Sequence, residues 1–395
     1  MTTSTLYIEE VTDDESDGFA NVSKEICENC DGEEHIALTV EPFNEDAVER
    51  ADITTVEKWI CSEHAPCPYA VGGGSTLTNV DGRLYTFGGC DRRGIPSSRL
   101  AYYDSDTNDW VCDLRSEGVP PTARFGHTAV ASGSKIYIFG GQGFADNESN
   151  CSLVTMVSFN DLHCLDTGKM VWKQLCGVNM AVAPTENPEN TKDAAKPSPR
   201  NSHTAVLIGD NMITFGGANA DEGPMDDMWI FNLKSESWRK VKREHQDGKH
   251  PDAREMHSAY AANSKMYIMG GRMGSGDVCR DLWECDPDNG FKWTHLANSS
   301  SPRCSHGGDF LSSSKLLCSF GGWDGMGQIF DEITVFDLSQ KKWAPAQLHG
   351  YLPTERFGHA SCVKGDRLYI IGGVNASDDL KELVSVRPVS QAEHH

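Results

Sequence analysis

Residues 123–141, ARFGHTAVASGSKIYIFGG, hold two apolar runs separated by a polar turn, and the second run closes on paired glycines. On an extended chain Ile136 and Ile138 share one face of that run, and Tyr137 and Phe139 share the other. A strand that is apolar on both faces belongs to a sheet covered on both sides. A third apolar run follows downstream in each copy, as in NDLHCLD, DDMWIFN, RDLWECD and DEITVFD. A tryptophan comes next: Trp110, Trp172, Trp238, Trp293 and Trp343. Turn residues such as ASGS, KGD and VDG punctuate the runs. The pattern predicts four short strands per unit.

The unit recurs along the chain. Diglycines stand at Gly88-Gly89, Gly140-Gly141, Gly216-Gly217, Gly270-Gly271, Gly321-Gly322 and Gly372-Gly373. Their steps of 52, 76, 54, 51 and 51 residues give a unit of about fifty with one enlarged copy. Upstream of five of the six lies Arg-x-x-His: Arg124/His127, Arg200/His203, Arg254/His257, Arg303/His306 and Arg356/His359. Repeats of this length with four strands each predict propeller blades. The glycines predict a strand end where a neighbouring backbone or indole comes too close for a Cβ.

The diglycine, spaced aromatic and tryptophan pattern resembles kelch repeats over roughly residues 52–388. The openings PSPRNSH and PTERFGH are similar to those of stand-alone kelch proteins of the Rab-effector and host-cell-factor types. The resemblance implies an all-β, six-bladed kelch β-propeller. The sixth unit has three strands, HASCV, RLYIIGG and ELVSV, and no tryptophan after Val386. Trp59 in TTVEKWI stands 51 residues before Trp110, in phase with the repeat, with no preceding strands of its own. The expectation is therefore that the N-terminal segment supplies strand four of blade six, which closes the ring and removes the open edges.

Charge divides the chain. Residues 1–50 carry a net −13 of the total −23 and few core residues, which predicts a disordered acidic tail. The domains expected are thus this tail (1–50), the propeller (51–388) and a short C-terminal tail (389–395). An acidic chain of this kind is excluded from gripping a nucleic-acid backbone, which needs clustered cations. No leader and no long apolar run appear in it, so a soluble monomer of the cytoplasm or nucleus is expected, without membrane insertion. Its 14 cysteines are then expected as free thiols. Cys27, Cys30 and His35 with Cys61, His64 and Cys67 have spacings that could hold zinc, but Cys61 must also serve the closing strand, so tail cysteines and a thiol at a strand end are the favoured reading and no metal or other cofactor is assigned.

The loop entering strand one and the loop joining strands two and three share a rim. All five arginines of the motif open strand one, so they are expected near the mouth of the central channel, where guanidiniums bind carboxylates bidentately. The regularity of the motif favours another reading, in which each arginine pairs with a carbonyl or carboxylate and staples its blade to the next, with the histidine as a packed donor between strands. In related kelch propellers the motif arginine contacts acidic peptides or a terminal carboxylate, and the resemblance implies that such use is open here. Blade one departs, with Gly72 and Ser75 in place of Arg and His, and with Arg92 and Arg93 in its next loop. Blade two carries the long loop QGFADNESNCSLVTMVSF, and 27 residues separate Trp172 from Arg200. Long loops on a rigid scaffold commonly bind. Met273, Trp323 and Met326 add apolar anchors of the interface type.

Nothing assembles a catalytic constellation: no Gly-rich phosphate loop or nucleophile elbow appears, and the histidines repeat blade by blade instead of gathering at one metal. The copper site of kelch-like oxidases and the iron motif of plant specifier proteins are also absent. The function expected is a non-enzymatic scaffold or adaptor binding a protein partner, with an acidic segment favoured. A substrate receptor of a cullin-type ubiquitin ligase and a metabolite-acting enzyme are the alternatives.

Overall fold

The computed structural model describes residues 58–112, 114–145, 155–176, 196–242 and 250–389, together with the backbone of residues 22–28, 34–40 and 57. Two compact units divide the chain, residues 1–54 and 55–395. Within the first, Val22–Glu28 pairs antiparallel with Glu34–Val40, from Val22 opposite Val40 to Glu28 opposite Glu34. Elsewhere the predicted disordered tail, like residues 390–395, lies outside the described residues.

Among the described residues the second unit is all-β apart from one 3-10 turn, Pro287–Asn289. Six antiparallel sheets of four strands follow one another in chain order as propeller blades. Their inner strands are Thr76–Val80, Thr128–Ser132, Thr204–Ile208, Ser258–Ala262, Gly307–Leu311 and Ala360–Lys364. Blades two and six each gain a fifth, parallel strand at the outer edge, Glu117–Gly118 and Ala346–Gly350. No helix among the described residues is long and apolar enough to cross a membrane.

Closure follows the predicted route. Glu57–Glu63 pairs antiparallel with Leu383–Pro388, placing Trp59 opposite Pro388 and Cys61 opposite Val386. Trp59 is fully buried beside Leu316, Phe320 and Ile370, at the junction of blades five and six. The ring is closed by its own N-terminal strand.

The two-sided apolar pattern has a direct spatial meaning. Ile136 and Ile138 pack with Tyr85 and Phe87 of blade one, whereas Tyr137 and Phe139 pack with Met212 and Trp229 of blade three. Each second strand therefore feeds two inter-blade cores. The strand-four tryptophans reach back across the same junctions: Trp172 lies 5.7 Å from Phe87, Trp238 4.8 Å from Phe139 and Trp293 5.1 Å from Phe215.

Around the axis, one residue per blade donates its backbone N–H to the carbonyl of its neighbour. The circuit runs Gly126, Gly74, Gly358, Ser305, Met256, Ser202 and back to Gly126, at 2.7–2.9 Å throughout. All six residues have positive φ, between 53° and 70°. Glycine takes that conformation freely, while Ser202, Met256 and Ser305 hold it at a cost of about 1 kcal/mol each.

If the N-terminal strand is the closing element, a chain beginning at residue 51 should melt with the full-length protein. A chain beginning at residue 64 should melt well below both, and Trp59→Ala should cost about 3–5 kcal/mol by denaturant unfolding. Equal melting of the two truncations would refute closure by this strand.

Candidate functional site

The motif arginines are interior groups. All five have 0% exposure. Arg124 donates through Nη1 and Nη2 to the two carboxylate oxygens of Asp161 at 2.7 and 2.9 Å, and through Nη1 to the carbonyl of Gly140 at 2.8 Å. Arg200 grips Asp227 and Gly216 O in the same way, and Arg254 grips Asp281 and Gly270 O. Arg303 bonds Glu332 and Gly321 O, and Arg356 bonds Glu382 and Gly372 O. Arg124 and Arg303 also stack 4.4 Å from the rings of Phe159 and Phe330. The expected ring of guanidiniums around the mouth is thereby corrected, because inward-turned side chains already hold carboxylates of their own blades.

The carboxylates respond to this environment. Burial raises the Asp161 carboxyl, but the bonds from Arg124 and His163 more than reverse that and hold it well below its ordinary value. Asp227 and Asp281 are likewise lowered by Arg200 and Arg254 against the effect of burial.

Each motif histidine bonds the preceding blade. Through Nε2, His127 meets Thr76 at 3.1 Å, His203 meets Thr128 at 3.0 Å, His257 meets Thr204 at 2.8 Å and His306 meets Ser258 at 2.6 Å. His359 instead accepts from the backbone N–H of Gly307 at 3.0 Å. The group that comes too close for a Cβ at the first glycine is this imidazole and the arginine carbonyl, not an indole. A Cβ on Gly88 would lie 2.5 Å from Arg124 O and 2.6 Å from His127 Cε1. Burial first, and the adjacent arginine second, pull His127, His257 and His359 down to about 3.

Blade one is irregular in more than its missing Arg and His. The residue whose carbonyl receives the first glycine's N–H is Asp161, Asp227, Asp281, Glu332 or Glu382 in the other blades, and Arg99 in blade one. The next-blade position that follows the pattern Thr76, Thr128, Thr204, Ser258 and Gly307 is Ala360, which offers no hydroxyl to the histidine that blade one lacks. The acid immediately before the first apolar residue of strand three was readable in NDL, DDM, RDL, DEI and KEL, against SRL in blade one. It passed unnoticed because it lies 26 to 37 residues from its arginine.

The remaining candidates are on the loop face. Arg92 ties blades one and six, its N–H on Asp379 at 3.0 Å and its Nη2 on Ala376 O at 2.9 Å. Exposed Arg93 pairs with Asp91 at 2.7 Å. Met273 and Trp323 are half-buried. Met326 is 90% exposed on a turn whose three N–H groups, of Met326, Gly327 and Gln328, all donate to Asp324 Oδ1. Residues 146–154 and 177–195 of the two enlarged loops lie outside the described residues. Of the zinc candidates, Cys61 and Cys67 are buried in separate cores and His64 bonds Ser385 and Tyr103, while the side chains of Cys27, Cys30 and His35 lie outside the described residues.

Sequence reasoning missed the wider apolar distribution. The described large hydrophobics that stand exposed are Ile95, Val111, Val119, Phe144, Met156, Met326 and Leu352. All except Val111 sit in connections between strands two and three or leading into strand one, which emerge on one face. The opposite face carries the turns between strands one and two and between strands three and four, such as DG, GS and DTG.

Blade geometry, axial circuit and repeat motif together define a kelch-type propeller. The model of the KLHDC2/KLHL20/DRC7 kelch-repeats domain matches residues 48–189 and 185–373, and the chain belongs to the kelch-repeat family. It is 27% identical over 341 residues to Kelch domain-containing protein 3 of Rattus norvegicus, covering 80% of each chain. It is also 27% identical over 309 residues to Acyl-CoA-binding domain-containing protein 5 of Arabidopsis thaliana, which takes in 76% of this chain and 43% of that protein. A match over 257 residues to the flagellar outer-arm dynein alpha chain of Chlamydomonas reinhardtii, 28% identical, takes in 61% of this chain and 5% of that protein. The family carries a protein-interaction role.

Two stability predictions follow from the buried ion pairs and imidazoles. Asp161→Asn, next to the fully buried Arg124, should cost about 3–5 kcal/mol. Glu332→Gln, whose carboxylate side chain is 57% exposed, should cost clearly less, because water reaches that side of the pair even though Arg303 is buried. Equal losses in denaturant unfolding would show that burial does not set the value of these pairs. Because the folded state keeps the motif histidines neutral, only the unfolded chain gains their protons below its ordinary histidine value. Stability should thus be full above about pH 6.5 and fall toward pH 3 by about 1.4 kcal/mol per pH unit for each imidazole. His127→Gln should reduce the slope by one proton; an unchanged slope between pH 6 and 4.5 would contradict it.

Proposed function

We propose that the chain is a non-enzymatic adaptor that takes a segment of a partner protein on the face formed by the strand two–three loops and the loops entering strand one. The observation that carries this reading is the concentration of exposed apolar side chains on that face, over turns as rigid as the one fixed by Asp324. Apolar groups gathered on one side and absent from the other mark an interaction surface better than singly scattered ones do. Met326, Ile95 and Phe144 serve as anchors, with the half-buried Trp323 and Met273 on the same face. Arg92 and Arg93 edge the same face and favour acidic groups in the partner, in a chain otherwise strongly negative. Internal use of the five motif arginines supports placing partner contacts on the loops and not deep in the channel.

The test compares quantitative pull-downs from source cells using wild type, Met273→Asp/Met326→Asp, and an opposite-face control, Lys234→Asp. The rim variant should lose its partners with an unchanged melting temperature, and the control should keep them. Partners retained by the rim variant and lost by the control would overturn the reading.

A further inference from the structure

In five blades an arginine guanidinium occupies the space between the diglycine, the residue that bonds the second glycine's carbonyl, and the acid before strand three. In blade one each of these groups differs. Gly72 replaces the arginine, and a Cβ there would meet Cys90 O at 2.0 Å, so no side chain can leave the backbone at this position to fill the space beyond it. The Val71 carbonyl takes over the bond to the second glycine of blade six that an arginine carbonyl makes at the other junctions. Ser97 stands where Phe159, Met225, Cys279, Phe330 and Leu380 stand elsewhere, each identified by its N–H bond to the second glycine's carbonyl. Arg99 stands in place of the acid.

The result is a cleft of ≈ 440 Å³ lined by Tyr69, Gly72, Gly89, Ile95, Ser97 and Arg99, among others. Arg99 is exposed, with its guanidinium stacked 4.6 Å from the Tyr69 ring. Among the described residues no carboxylate pairs with it. The other charges at the cleft have partners: Asp91 accepts from Arg93 Nε and Nη2, and Asp379 accepts from the Arg92 N–H. Every other blade contains an arginine and an acid at this site. Blade one has a cation and an empty space, which is the arrangement of an ion pair lacking its carboxylate.

We propose that this cleft is a binding site for a carboxylate side chain, glutamate or aspartate, of a partner segment. The acid enters the space vacated by the motif arginine and meets Arg99 in a bidentate, charge-assisted pair, with its methylenes against Tyr69 and Ile95. Stacking on Tyr69 holds the guanidinium plane in advance, which lowers the ordering cost of that pair. The site rests on the reading of the loop face as a partner-binding surface and adds the chemistry recognised at one blade junction.

The probe is fluorescein-labelled hexaglutamate, with labelled hexaglutamine as the uncharged comparison, titrated against the full chain and followed by anisotropy. Hexaglutamate should bind and hexaglutamine should not. Arg99→Ala should weaken hexaglutamate about tenfold, the scale of losing one hydrogen-bonded charge partner. Arg99→Lys should fall between the two, since it keeps the charge without the planar fork. Ser97→Phe, which supplies the side chain found in blades two and five, should fill the cleft and weaken binding with Arg99 intact. Lys234→Ala, which breaks only an exposed pair with Asp210 on the opposite face, should stay within about twofold of wild type.

Absence of hexaglutamate binding, or equal affinity of wild type and Arg99→Ala, overturns the proposal. Loss of hexaglutamate in Met273→Asp/Met326→Asp but not in Arg99→Ala overturns the cleft and leaves the loop-face reading standing. Dependence on Arg99 with partner capture unaffected by the rim variant has the opposite meaning.

Discussion

Six chain segments converge on one axis, and the separation they can reach there governs the rest of the propeller. The backbone circuit through Gly74, Gly126, Ser202, Met256, Ser305 and Gly358 requires neighbouring blades to approach within hydrogen-bonding distance. Such proximity leaves no room for a Cβ at the diglycines, and it forces the left-handed conformation on the six donors themselves. With the inner strands fixed in this way, the histidine of one blade reaches the start of the inner strand of the blade before it, meeting a hydroxyl in four cases and the Gly307 N–H in the fifth. The second strands then lie close enough to share apolar residues with both neighbours. A propeller buries its sheets only through this repeated face-to-face contact, so the axial spacing and the inter-blade cores are one constraint expressed at two radii.

Turning the chain at that rim leaves backbone carbonyls pointing inward with no strand to receive them. The motif arginine answers this by capping the carbonyl of the first glycine while its charge is balanced by the acid before strand three. Such buried pairs add little net stability over an apolar replacement, but an unmatched member is costly. Loss of the arginine in blade one therefore accompanies loss of its acid, just as loss of the histidine accompanies loss of the hydroxyl at Ala360. Both exceptions fall at the junction of blades one and six, where the chain enters the ring after its closing strand. Other contacts hold that junction, among them Lys364 on Gly82 O, Asn79 on Val363 O and Arg92 on Asp379.

Fold was legible in the sequence because it is written six times. Diglycine phase gave the blade count, and the stray Trp59 gave the closing strand, since a tryptophan in register with no preceding strands has only one vacant place in the ring. Side-chain direction at the rim was not legible. A residue at the start of strand one can turn outward to the mouth or inward to its own blade, and the spacing of Arg-x-x-His is the same in both cases. What separates them is the acid before strand three, brought near only by the sheet. The inverted charge of blade one was likewise visible letter by letter in SRL, but it acquires meaning only after the other blades show what position Arg99 occupies.

The same end of the molecule carries its most constrained and its least constrained residues. Arginine, histidine and diglycine are packed beneath the rim, whereas the loops directly above them differ in length, charge and apolar content from blade to blade. Connections at the opposite end are short polar turns with little capacity to vary. Loops placed here have their bases held by buried ion pairs, which limits the conformations such loops would lose on association with a partner. A blade relieved of its internal pair, as blade one is, keeps the rigid base but exposes the chemistry that the other five blades satisfy within themselves. Departure from the repeat, more than the repeat itself, is where specificity has room to reside.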